Sequence, residues 1–201
     1  MHRTGASGVG LFRTEFQFMI SKTLPRVRAQ AKFYKSIIDS ARNKPVTFRT
    51  LDIGGDKEVS FLKRDHEENP ALGWRAIRIG LDRPALLSYQ QRALITAAAD
   101  TTLRIMFPMI TNVEEFKLAK AILEKELSRQ QRNKRPMPKD IKVGTMLEVP
   151  SLVWQLDELL PLVDFVSIGS NDLCNYFMLV TAKTQKCAIV MIRCRHHPLE
   201  C

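Results

Sequence analysis

What most limits the folds open to this chain is a rhythm. Short apolar runs rich in β-branched or aromatic residues alternate with segments of helical period. Val9–Glu15, Pro45–Leu51, Leu103–Met109, Ile141–Glu148 and Val163–Ile168 read as strands. Runs this apolar need cover on both faces, as a parallel sheet flanked by helices provides. Between Leu24 and Arg42, Val27, Ala31, Tyr34, Ile37, Ile38 and Ala41 recur at three and four, one face of an amphipathic helix. Pro84 suits a first helical turn, and Leu87, Leu94, Ile95 and Ala98 extend the buried face to about Ala99. Asn112 with Glu115 resembles a capping box opening a helix through Phe116, Ala119, Leu123 and Leu127. Pro150 begins a fourth helix that carries Leu152, Val153, Leu156, Leu159 and Leu160.

A doubly wound sheet and a (β/α)8 barrel both fit that alternation. The polar residues separate them. Arg13, Arg49, Glu148 and the Asn171-Asp172 pair each fall at the carboxyl end of a different strand. A barrel gathers such ends into one ring, whereas a doubly wound sheet concentrates ligand groups at one switch point, commonly with a Gly-x-Gly-x-x-Gly turn that this sequence lacks. The expected fold is therefore α/β, a (β/α)8 TIM barrel. It is expected to be incomplete, because five strand-like runs stand where a barrel has eight.

The chemistry concentrates at those strand ends. Arg49-Thr50-Leu51-Asp52-Ile53-Gly54-Gly55-Asp56-Lys57 delivers an arginine fork beside a Gly-Gly turn, a pairing suited to a phosphate or carboxylate. The plain alternative is a tight turn with a surface arginine and lysine. Glu148 and Asp172 lie on consecutive strands, and adjacent strands are about 4.8 Å apart, so both carboxylates can reach one hard cation. Two carboxylates with open positions suit Mg2+ or Mn2+, whose other ligands come from water or substrate. Arg13 and Arg49 would grip the anionic groups of that substrate, an arrangement suited to phosphoryl transfer. Each residue also has a simpler reading. Glu148 can be a helix N-terminal acid, Asp172 a capping residue, and Arg13 a partner of Glu15.

The formal charge of +10 sits largely in Arg129 to Lys139 and in Lys183, Lys186, Arg193 and Arg195. No aromatic residues interleave the first of these, so it reads as a solvated interhelical loop and no nucleic-acid partner is expected. A basic balance also suits small anionic substrates. No apolar run approaches the roughly 20 residues a membrane helix needs. Nothing at the amino end reads as a signal peptide, so a cytoplasmic location without a membrane is expected. Cys174 stands alone, while Cys187, Cys194 and Cys201 cluster late with His196 and His197 at spacings looser than zinc sites use.

Five motifs stand in one order: Gly10-Leu11-Phe12-Arg13-Thr14-Glu15-Phe16, Arg49 to Lys57, Asn69-Pro70-Ala71-Leu72-Gly73-Trp74-Arg75, Met146-Leu147-Glu148-Val149-Pro150 and Ile168-Gly169-Ser170-Asn171-Asp172-Leu173. Together they resemble the C-terminal phosphoenolpyruvate-binding barrel of the Enzyme I family of the bacterial phosphotransferase system, of the sugar or nitrogen-related branch. The resemblance runs from about Gly5 to Val180. It implies that Arg13 and Arg49 bind the substrate phosphate and that Glu148 and Asp172 hold Mg2+. Asn171 and Asp172 would line the substrate site, with Lys57 and Arg75 as supporting phosphate-side groups. It also implies transfer of the phosphoryl group to a histidine on a separate domain and then to a histidine-containing phosphocarrier protein, in a homodimeric enzyme.

Parts of the family pattern are missing. No Thr-Ser-His-type motif is present, and His66 sits in the charged turn Asp65-His66-Glu67-Glu68. The family's Asp-Arg pair near Thr181 and Ala182 and its Met-Cys-Gly-Glu-type strand are absent, and Cys174 does not match the proton-donating cysteine. No catalytic residue is therefore assigned within the chain. Residues 1–180 are expected to form a partial barrel and residues 181–201 a divergent tail outside it, so that the chain alone is inactive. Two alternatives are a non-catalytic barrel remnant acting by docking and a relative of pyruvate phosphate dikinase. The wording of Leu11–Phe16 and Gly73-Trp74-Arg75 favours Enzyme I over the dikinase.

Overall fold

A computed structural model describes residues 5–21, 23–54, 59, 61–62, 69 and 72–178. Within them lie β1 (Val9–Arg13), α1 (Glu15–Met19), α2 (Val27–Ser40), β2 (Val46–Arg49), α3 (Ile77–Asp82), α4 (Pro84–Ala97) and β3 (Thr102–Phe107). These are followed by α5 (Val113–Arg132), β4 (Asp140–Leu147), α6 (Pro150–Val153), α7 (Leu156–Leu159), β5 (Phe165–Ile168) and α8 (Ser170–Met178).

The five described strands form one curled sheet in the order β1-β2-β3-β4-β5, and every neighbouring pair is parallel. Each crossover thus returns the chain to the next strand along. A doubly wound sheet reverses direction at a switch point, and no reversal occurs among the described strands. The architecture is that of a partial (β/α)8 barrel, as the strand-end pattern predicts. Register places the carboxyl ends together, with Arg13 beside Arg49, Arg49 beside Met106 and Leu147 beside Ile168.

All four residues of β2 are buried, as are the last five of β4, whereas the outer strands β1 and β5 are only partly covered. The main core joins the sheet to α2, α4 and α5 through Tyr34, Phe48, Leu94, Ile105, Phe107 and Phe116. Phe48 meets Phe12 and Tyr34 edge-on at centroid distances of 5.5 and 5.6 Å, and Phe107 meets Phe116 at 5.8 Å. Such pairs add about 0.5–1.5 kcal/mol each beyond their buried area. A smaller cluster of Phe18, Ile53, Val59, Leu62 and Ile79 packs α1 and α3 beneath the loop after β2.

The Asn112 cap forms as expected, its side chain accepting from the Glu115 amide at 2.9 Å. The reciprocal arm reaches one residue further back, because Glu115 accepts from the Thr111 amide and hydroxyl, both at 2.7 Å. The fourth predicted helix is not continuous. It breaks at Trp154–Gln155 into α6 and α7, followed by a 3-10 turn over Leu160–Leu162. At the break, Gln155 leaves helical geometry and its amide oxygen accepts from the Val113 amide at 3.1 Å, satisfying an orphan donor at the start of α5. Pro161, which has no amide hydrogen, keeps the last turn from continuing as α-helix. The short helices α1, α3 and α8 had no sequence expectation of their own. Among the described residues no helix is long and apolar enough to cross a membrane.

Candidate functional site

Two strand ends supply the first half of the site. Beyond β1, the buried Thr14 hydroxyl donates to the Arg49 carbonyl at 2.9 Å, tying β1 to β2 just where both strands stop. Gln90 of α4 reinforces the tie. Its amide nitrogen donates to the Thr14 oxygen at 2.8 Å and its oxygen accepts from the Leu51 amide at 2.8 Å. With the backbone clamped there, Glu15 turns inward from the first residue of α1 and is fully buried.

Arg49 is only 5% exposed, so its charge needs partners nearby. Its Nη2 lies 2.6 Å from Glu15 Oε1 and 2.8 Å from Asp52 Oδ2. Glu15 Oε1 is shared with Arg13, whose Nε donates to it at 2.7 Å. Asp52 is shared in turn with Arg75, whose Nη2 donates to Oδ1 at 3.0 Å, and Arg75 Nη1 donates to the Tyr176 hydroxyl at 3.2 Å. A chain of alternating charge therefore runs Arg13–Glu15–Arg49–Asp52–Arg75. Arg75 is held more firmly protonated than an ordinary arginine. Burial works against its charge, but the neighbouring Asp52 carboxylate outweighs it, with Tyr176 and Asp172 adding to the effect. The Nε groups of Arg49 and Arg75 are buried without a hydrogen-bond partner.

Gly54 lets Arg75 approach. It has φ +111°, and a Cβ built there would lie 2.4 Å from the Arg75 Cβ. Only glycine fits both the backbone and the space.

The second half comes from β4 and β5. Glu148, 1% exposed, follows β4 and accepts from the Met109 amide at 2.8 Å through Oε1. Met109 presents that amide from a left-handed backbone, φ 57°, immediately after Pro108. Oε2 of Glu148 is buried without a hydrogen-bond partner. Burial pushes the Glu148 carboxyl up to about 7; the Met109 hydrogen bond opposes this, the charges of Asp172 and Asp52 add to it, and Arg49 opposes it. Gly169 packs against this side chain so closely that a Cβ there would stand 2.7 Å from Glu148 Oε2. Asn171 and Asp172 occupy the first turn of α8.

These halves face one cavity of about 430 Å3, lined among others by Arg13, Arg49, Arg75, Glu148, Asn171 and Asp172. That volume lies within the usual range for small-molecule sites. Six of the predicted site residues are thus brought together. Lys57 lies outside the described residues, as do His66, Cys187, Cys194, His196, His197 and Cys201. Arg13 does pair with Glu15, the simpler reading of that residue, and lines the cavity as well. Sequence reasoning gave no role in the site to Glu15, to Asp52 as the link between two arginines, or to Tyr176. The signal available for the first two was an acid two or three residues from each strand-end arginine.

The donor set suits a hard divalent ion. Glu148 offers a buried oxygen with no protein donor, and Asp172 faces the same cavity. Among the described residues there is no cluster of three or more potential metal-ligating side chains. Two carboxylates fit an ion such as Mg2+, which keeps water and takes substrate oxygens rather than a full protein cage.

Comparison with known proteins agrees with this picture. A family model described as "PEP-utilising enzyme, PEP-binding domain" matches residues 1–199. The phosphoenolpyruvate-protein phosphotransferase of Enterococcus faecalis is 43% identical over 180 residues, covering 89% of this chain and 31% of the relative. Proteins of the same name from Haemophilus influenzae and Priestia megaterium are 45% identical over 178 residues and 46% over 172. These matches cover 89% and 86% of this chain, and 31% and 30% of the relatives. The chain therefore spans about a third of the length of the curated relatives it matches. With a match this extensive, the chain belongs to the PEP-utilising enzyme family and corresponds to its PEP-binding domain.

Proposed function

We propose that this chain is the phosphoenolpyruvate-binding part of an Enzyme I-type phosphoenolpyruvate-protein phosphotransferase, working with Mg2+. The observation that carries the reading is the shared cavity, where Arg13, Arg49, Glu148 and Asp172, from four different strand ends, meet Asp52 and Arg75. The names of the relatives support the same substrate.

Charge decides how the site would work. The guanidinium groups of Arg13, Arg49 and Arg75 are balanced by Asp52, Glu148 and Asp172 in the cavity wall and by Glu15 behind it. The site thus offers a multiply charged phosphate ester fixed donors but no net positive charge. Glu148 and Asp172 would hold Mg2+, which supplies that charge and polarises the substrate oxygens it meets. Arg13 and Arg49 would bind the phosphate, with Arg75 as a supporting phosphate-side group, and Asn171 would orient the substrate by its side-chain amide. Because the arginines are already fixed by their carboxylates, little reorganisation is needed when charge shifts onto the phosphoryl oxygens. Lys57 is proposed as a further phosphate-side group.

In this reading the phosphoryl group leaves for a histidine and then a histidine-containing phosphocarrier protein, in the cytoplasm, within a homodimer in the service of sugar transport. Residues 1–180 are proposed as the partial barrel and 181–201 as a tail apart from it.

Calorimetry with phosphoenolpyruvate in the presence and absence of Mg2+ tests the proposal. Binding should require the ion and should weaken by about tenfold or more in Asp172→Asn, which removes a ligand charge from a partly exposed position. No binding by the folded chain, or equal binding by the variant, would overturn it.

A further inference from the structure

We infer that Glu15 is a positioning residue for the anion site, a role that rests on the phosphoenolpyruvate-binding reading above. Glu15 is fully buried and is not among the residues lining the cavity, so it does not meet a ligand. Its Oε1 nonetheless takes hydrogen bonds from two cavity-lining arginines on different strands, Arg13 Nε at 2.7 Å and Arg49 Nη2 at 2.6 Å. One oxygen thus ties a donor of each guanidinium to a common point.

The two arginines depend on it unequally. Arg49 is also held by Asp52 and by its own burial. The Arg13 side chain is 42% exposed, and it also approaches the exposed Phe16 ring at 5.2 Å. An exposed arginine has rotamer freedom to lose on binding, and the Glu15 contact restricts that freedom before any ligand arrives. The placement of Glu15 is itself secured, because Thr14, the residue before it, is locked to the Arg49 carbonyl and to Gln90. Sequence position, backbone ties and charge all converge on holding the Arg13–Arg49 pair open toward the cavity.

A positioning role and a charge-balancing role predict opposite signs. If Glu15 only neutralised the arginines, removing its charge would tighten binding of an anion. If it positions them, removal loosens binding despite the more positive site. The test titrates phosphoenolpyruvate with Mg2+ into the full chain and into Glu15→Gln and Glu15→Ala. Thermal unfolding is followed in parallel, and arginine Nε–H signals are recorded by nuclear magnetic resonance. Glu15→Ala should raise Kd about tenfold, and Glu15→Gln, which keeps a neutral acceptor, by a smaller factor. The Nε signals of Arg13 and Arg49 should lose order in both, while proteins still unfold cooperatively. Unchanged or tighter binding by a folded variant overturns the inference, as does undiminished order of the two Nε groups. Failure of the unsubstituted chain to bind overturns the proposed function instead. The resonance measurement then decides the role of Glu15 by itself.

Discussion

Glu148→Gln should stabilise the metal-free chain above pH 7 and flatten the pH dependence of its stability. In the native chain this carboxyl is 1% exposed, with one oxygen on the Met109 amide and the other without a hydrogen-bond partner. Burial is the main cause of its rise from 4.5 to about 7. Between those values the folded chain holds a proton that the unfolded chain has released. Stability therefore falls as pH rises through this window: the contribution is complete below 4.5 and lost above about 7. The displacement corresponds to ~3 kcal/mol, or roughly 6–12 °C in Tm for a chain of this size.

Glutamine keeps an oxygen for the Met109 amide and carries no charge, so it escapes the penalty. Thermal unfolding between pH 5 and 8.5 in EDTA should show the two proteins nearly coincident at pH 5 and the variant well above at pH 8. Adding Mg2+ should raise the Tm of the native chain more at pH 8 than at pH 5.5, because the ion replaces the proton, and should leave the variant almost unmoved. Parallel pH curves for the two proteins, or a variant less stable than the native chain at pH 8 in EDTA, would refute the reasoning.

Two glycine substitutions separate the halves of the site. In Gly169→Ala the added Cβ would stand 2.7 Å from both Cβ and Oε2 of Glu148, so the carboxylate must move. Mg2+ affinity measured by calorimetry should fall about tenfold, the scale of losing ligand orientation, with the fold retained. In Gly54→Ala, φ +111° and a 2.4 Å approach to the Arg75 Cβ combine backbone strain with a clash. Urea unfolding should show a loss of ~1–3 kcal/mol or more, and an unchanged midpoint would remove the reason given for glycine there.

The sheet was legible because its information is local. A strand covered on both faces is largely apolar, so the β-branched, aromatic and aliphatic residues of β2, β3 and β4 stand out within a few positions. Strand order followed from a distribution: polar residues stood at several strand ends rather than at one. What escaped was short or conditional. α1, at Glu15–Met19, is too brief to show a period, and three of its five residues are apolar. The break between α6 and α7 depends on Gln155 meeting the start of α5, 42 residues earlier, and no window around Gln155 contains that fact.

The site divides in the same way. Which residues reach the cavity is set by topology, since any side chain just past a strand end is carried to the same rim. That is why Arg13, Arg49, Glu148 and Asp172 could be chosen from position alone. How they are oriented is set by pairing across the chain. Arg49 meets Glu15 from 34 residues away, and Arg75 meets Tyr176 from 101. Reading Arg13 and Glu15 as a simple ion pair treated pairing and ligand binding as rivals. The shared oxygen shows why they are compatible: a buried arginine requires a carboxylate in order to be buried at all, and one committed donor fixes the plane of those that remain. An arginine with no such partner would be free to swing into solvent, and its place at the strand end would then say little about its availability to a ligand.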